Sequence, residues 1–86
     1  MVSYKIEWKR SATLELKKLP AAAIVKILSV VENLATNPFP PSAQKLAGAE
    51  RTFRIRKGVY RILYTVSTKV LLIEVVKIGH RKDIYR

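Results

Sequence analysis

Apolar and polar residues alternate over Tyr4, Lys5, Ile6, Glu7 and Trp8, the period of a strand with one buried face. Ser11 then offers an N-cap, and Leu14, Leu16 and Leu19 form a short, imperfect helical stripe that stops at Pro20. The stripe that follows is clearer. Ile24, Ile27, Leu28, Val31, Leu34 and Ala35 recur at helical spacing while Lys26, Ser29 and Glu32 fall off it. This predicts an amphipathic helix, with Pro20 suited to its first turn and Asn37-Pro38 beyond its end. Pro38, Pro40 and Pro41 then dictate a loop, because each lacks an N–H and disfavours helix at the residue before it. Lys45-Leu46-Ala47-Gly48 closes that connection.

Three β-rich runs complete the chain, at residues 52–56, 60–66 and 70–78. Lys57-Gly58 and Ser67-Thr68-Lys69 separate them at hairpin length. The order strand, helix, helix, three strands predicts an α+β fold, β-α-α-β-β-β. Two N-terminal helices pack on one face of an antiparallel sheet of about four strands, and the other face is left open.

Composition sharpens this picture. The 86 residues make room for one domain, spanning 1–86, and 49% hydrophobic content marks a folding sequence. Seventeen Lys and Arg against six Asp and Glu give a net charge of +11, which calls for an anionic partner: nucleic acid, an acidic protein or an anionic membrane. Residues 1–50 carry seven basic and four acidic side chains, and residues 51–86 carry ten and two, so the sheet half is the basic half. The absence of cysteine excludes a disulfide scaffold and thiolate zinc sites and fits a reducing compartment. With no apolar signal core and no stretch of bilayer length, a cytoplasmic protein without a membrane partner is expected.

If Lys57-Gly58 is a two-residue turn, Arg56 pairs with Val59, Ile55 with Tyr60, Arg54 with Arg61 and Phe53 with Ile62. Phe53, Ile55, Tyr60, Ile62 and Tyr64 then share one face, and Arg54, Arg56 and Arg61 share the other. Like charges opposite one another cost stability, so a fold has little structural reason to gather three guanidiniums. A phosphate would supply the countercharge, and guanidinium forks match its oxygens. The chain's end, Gly79-His80-Arg81-Lys82-Asp83-Ile84-Tyr85-Arg86, adds the one histidine, further cations and a phenol. Together these suggest RNA cleavage. The six acids show no metal-ligand spacing, one histidine cannot build a metal site, and no triad, phosphate loop or dinucleotide fingerprint is present. Neither metal nor cofactor is expected. The substrate's own 2′-OH then serves as nucleophile, and the protein orients it, stabilises charge and protonates the leaving 5′-oxygen.

These segments resemble the RelE/ParE superfamily of bacterial and archaeal toxins, on the RelE side. The resemblance runs through LELKKLP at residues 14–20, Asn37-Pro38 ahead of Lys45-Leu46-Ala47-Gly48, FRIRKGVYRILY at 53–64 and VKIGHRKDIY at 76–85. It implies a compact antiparallel sheet with two helices against it, and a ribosome-dependent endoribonuclease that cuts mRNA in the ribosomal A site. By position, Arg61 and Arg81 match the arginines that hold the scissile phosphate, and Tyr85 matches the catalytic tyrosine. Arg54, Arg56, Lys57 and Lys82 are the expected substrate-binding cations. Arg54 and Arg56 stand where relatives carry lysines, one of them a candidate general base, and an arginine cannot play that part. Tyr85 or His80 would then take the proton. Histidine is the side chain suited to exchange near neutrality, whereas a phenol, with an ordinary pKa near ~10, needs lowering by nearby cations. The implied partners are a cognate RelB-like antitoxin, in a toxin–antitoxin heterotetramer, and the ribosome with its mRNA and rRNA. The alternative is a ParE-like inhibitor of DNA gyrase with no nuclease chemistry; a plain RNA- or protein-binding module is a further one.

Overall fold

A computed structural model describes residues 3–48 and 50–80. The elements run β1 (Lys5–Trp8), α1 (Arg10–Lys17), α2 (Ala21–Leu34), β2 (Ala43–Lys45), β3 (Thr52–Lys57), β4 (Tyr60–Ser67) and β5 (Leu72–His80). The expected α+β architecture is present, with two differences in the sheet, a fifth strand and a parallel pair. Five strands lie in the order β1-β5-β4-β3-β2, and β1 runs parallel to β5. After β1 the helices carry the chain to the opposite edge, where β2 starts. Three antiparallel pairings then bring it back until β5 lies alongside β1. β2 is only three residues long, too short for a period to show in the sequence.

One cluster holds the layers together. Ala12 and Leu16 from α1 and Ile27, Val31 and Leu34 from α2 pack on Ile55, Ile62, Tyr64, Val66, Ile73, Val75 and Ile78 of the sheet. In α2 the buried residues recur at i, i+4 and i+7, as the stripe predicts, but Leu28 at its margin is 37% exposed. Both helix starts differ from expectation. Lys9, not Ser11, is the N-cap of α1, without a side-chain cap. Pro20 is the N-cap of α2, and its carbonyl accepts the N–H groups of Ala23 and Ile24 at 2.9 and 3.0 Å.

A β-bulge explains how residues three apart in β5 reach the same core. Tyr64 pairs with Val75, whereas Leu63 pairs with Lys77, so Val76 is the additional residue. Without it, strict alternation would send Val75 and Ile78 to opposite faces. The proline loop is fastened from below. The Tyr64 hydroxyl donates to the Pro38 carbonyl at 2.8 Å. Phe39 meets Phe53 edge-on at 5.2 Å, and Phe53 stacks on Tyr64 at 5.7 Å. Full burial pushes the Tyr64 phenol up to about 12, so it remains a neutral donor.

Candidate nucleic-acid interface

The turn between β3 and β4 is Gly58-Val59 rather than Lys57-Gly58, which moves the pairing from the expected register. Gly58 has φ +60° while Val59 has no positive φ, the arrangement of a hairpin turn with glycine at its first central position. Arg56 therefore faces Arg61 directly, and Arg54 pairs with Leu63. The face assignment survives, because a slip of two residues leaves Phe53, Ile55, Ile62 and Tyr64 on the core side in either register. Arg54, Arg56 and Arg61 come together on the face away from the helices.

The three arginines differ in setting. Arg61 sits on the central strand, with Arg56 on one side and Gly79 of β5 on the other. It is 4% exposed and is the one buried charged side chain among the described residues. Arg56 is exposed, and Arg54 is half-buried. Arg54 Nη2 donates to Gln44 Oε1 at 2.7 Å across the β2–β3 pair. Pro41, Ser42, Gln44, Arg54 and Arg56 line a hollow of about 350 Å³ there. Guanidiniums offer only donors and a permanent charge, so this face can hold anionic oxygens but cannot accept a proton.

Two expected site residues lie elsewhere. His80 pairs with Tyr60, and the two rings meet edge-on at 5.9 Å. Since Ile78 faces the core, His80 two residues on shares the helix-bearing side, not the arginine side. Lys57 also lies on the helix-bearing side, lining a hollow of about 550 Å³ with Lys26 and the start of α2. Arg81, Lys82 and Tyr85 lie outside the described residues. Gln44 and Ser42 were not singled out by the sequence, since nothing marked their segment as a strand.

No group of three or more His, Cys, Asp or Glu side chains gathers among the described residues. No helix there is long and apolar enough to cross a membrane.

Known proteins match this arrangement over nearly its whole length. The profile described as ParE toxin of type II toxin-antitoxin system, parDE, matches residues 6–85. Toxin RelG of Mycobacterium tuberculosis is 30% identical over 87 residues, covering 96% of this chain and 97% of its own. The archaeal RelE-RelB complex from Pyrococcus horikoshii contains a chain that superposes with a TM-score of 0.83 at 27% identity, over 93% of this chain and 97% of that one. The toxin-antitoxin complex RelBE2 from Mycobacterium tuberculosis gives 0.81 at 25% identity, over 93% and 100%. The shared sheet, the paired helices and the match from residue 6 to residue 85 place the chain in the ParE toxin family of the RelE/ParE superfamily, as a RelE-like toxin of a toxin–antitoxin system.

Proposed function

We propose that this toxin is a ribosome-dependent endoribonuclease that cleaves mRNA in the A site by attack of the substrate's 2′-OH, without a metal. The observation that carries this reading is the direct pairing of Arg56 with Arg61, with Arg54 two residues from Arg56 on the same face. Guanidiniums gathered on one face offer the forked donors that a phosphodiester's oxygens accept. Arg61, fixed by burial on the central strand, holds the scissile phosphate and the charge that grows on it. Arg54 and Arg56 bind the flanking backbone.

Proton transfer falls to Tyr85, with Arg81 as the second phosphate ligand and Lys82 as a further backbone contact, as the family resemblance implies. His80 is the weaker candidate, because its ring packs on Tyr60 on the opposite side of the sheet. A RelB-like antitoxin is the proposed partner. Both superposed complexes pair a RelE-type toxin with its antitoxin, and an acidic segment folding onto a chain of net charge +11 has a clear electrostatic drive.

The matching profile is named for ParE, which makes gyrase inhibition the second reading. One experiment separates them. Added to a cell-free translation system, the protein yields codon-associated cuts in mRNA, and Arg81→Ala abolishes them while remaining folded. Intact mRNA together with accumulating gyrase–DNA breaks supports the ParE reading instead. Growth arrest fully retained by the Arg61→Ala, Arg81→Ala double variant removes the enzyme reading.

A further inference from the structure

The short edge strand β2 brings a neutral polar side chain to the arginine face, and its geometry restricts what that side chain can recognise. Gln44 Oε1 is engaged by Arg54 Nη2 at 2.7 Å. The acceptor end of the amide is thereby turned toward the guanidinium, and the Nε2 end, with two N–H donors, is left for a ligand. The rest of the hollow of about 350 Å³ offers the Ser42 hydroxyl, the guanidiniums of Arg54 and Arg56, and the ring of Pro41. Apart from that hydroxyl, the polar side chains around it present donors.

The hollow is also built on fixed walls. On one side the proline loop is held by the Tyr64–Pro38 hydrogen bond and by Phe39 against Phe53. The Ala43 N–H donates to the Pro40 carbonyl at 2.9 Å, closing the turn that leads into β2. On the other side stand the paired strands β2 and β3. Its size lies within the range of about 300–1,000 Å³ common to small-molecule sites.

We propose that this hollow is a subsite for one base of single-stranded RNA beside the cleaved phosphate, and that Gln44 makes it select keto bases. The proposal rests on the endoribonuclease reading above. Unpaired RNA bases are read by hydrogen bonds to their edges. Guanine presents O6 and N7 and uracil presents O4, all acceptors that match the Gln44 donors. Adenine and cytosine place an exocyclic amino group at the corresponding position, donor against donor. A peptide carboxylate would also satisfy the donors. RNA is favoured because Arg56 both lines the hollow and pairs with Arg61, so the hollow adjoins the proposed phosphate site and suits a ligand that carries a base and a phosphate together.

The test uses two fluorescent hexaribonucleotides, all-uridine and all-cytidine, with 2′-O-methyl sugars so that neither can be cut. They differ in the keto or amino group that the subsite reads. The full-length protein is expected to bind the uridine hexamer about three- to tenfold more tightly, the range of one net hydrogen bond. Gln44→Leu brings the ratio close to one, and Ser42→Ala leaves most of the preference in place. Equal affinity of the unaltered protein for both hexamers overturns the proposal, as does an unchanged ratio in a folded Gln44→Leu protein. An acidic decapeptide that loses affinity in Gln44→Leu, while both hexamers keep theirs, also overturns it in favour of a protein ligand. A second arm maps cuts in the translation system. Cuts enriched beside keto bases, with the enrichment lost in Gln44→Leu although cutting persists, support the proposal. Hexamer discrimination without any cutting overturns the nuclease reading alone and leaves the base preference standing.

Discussion

Glu15 Oε1 accepts the backbone N–H of Ile78 at 3.1 Å, so a helix side chain takes the place of a missing strand. β1 pairs with β5 only as far as Val75, and the Lys9 N–H makes one last contact to the Val75 carbonyl at 2.9 Å. Beyond that point the chain turns into α1, and the outer edge of β5 loses its β1 partner. The carboxylate of α1 fills the gap, and its second oxygen accepts from Lys77 Nζ at 3.3 Å. The end of β5 that leads to Gly79 and His80 is thereby fixed by a residue 63 positions earlier in the chain.

Glu15→Ala should destabilise the protein by about 1–2 kcal/mol, the value of a charge-assisted hydrogen bond reduced for partial exposure. Glu15→Gln keeps an acceptor and should recover most of the loss. Urea denaturation gives the energies, and hydrogen exchange at the Ile78 amide locates them. Unchanged protection of that amide in Glu15→Ala would contradict the assignment.

Tyr64→Phe should cost about 1–2 kcal/mol at neutral pH, because the buried Pro38 carbonyl loses its donor. The pH dependence carries a sign. The folded phenol is raised to about 12 from an ordinary 10, so between these values the unfolded chain releases a proton that the folded protein keeps. The Tyr64 contribution is complete below pH 10 and fades as pH rises toward 12. Its full loss is on the order of 2 kcal/mol. Denaturation curves across that window should bring the unaltered protein and Tyr64→Phe closer together.

How far these features could be read beforehand depended on periodicity. α2 was legible because its apolar residues repeat at helical spacing from Ile24 to Leu34, and Ile27, Val31 and Leu34 of that stripe are buried. The arginine face was legible because the observed register differs from the expected one by two residues, and a slip of two returns every side chain to its own face. The register itself was not. It turned on whether Lys57-Gly58 or Gly58-Val59 forms the loop, and Gly58 belongs to both. The bulge at Val76 was equally hidden, since Val75-Val76-Lys77-Ile78 reads as one β-rich run in any phase.

The parallel β1–β5 pair could not be inferred from local pattern either, because it joins the two ends of the fold. That pairing also makes room for Glu15 at the edge of β5, a role no spacing announces. His80 reads as part of the cationic end by adjacency in sequence, yet its ring meets Tyr60 on the helix-bearing side. Gln44 lay in a three-residue strand with no period to detect.

Gly58→Ala tests the turn that sets the register. Nothing lies within 4 Å of a Cβ at this position, so the substitution meets no clash. The cost is in the backbone alone, at φ +60°, and should be about 1 kcal/mol. Thermal unfolding measures it. A neutral result would mean that Gly58 is not held at positive φ, and would remove the turn that makes Arg56 the partner of Arg61.

Arg56→Gln separates binding from folding on the arginine face. The side chain is exposed and stands opposite Arg61, so its neutral replacement removes a like-charge pairing and should leave stability within about 0.5 kcal/mol. RNA binding should weaken for every sequence alike, because a phosphate contact positions the chain without reading it. The distinguishing quantity is the salt dependence. Each cation that displaces counterions from a single strand contributes about 0.7 to the slope of log K against log salt. The slope for a uridine hexamer should therefore fall by roughly that amount in Arg56→Gln, whereas Gln44→Leu should leave it unchanged. A slope unaffected by Arg56→Gln would move the phosphate path off β3 and leave Arg61 without its proposed neighbour in binding.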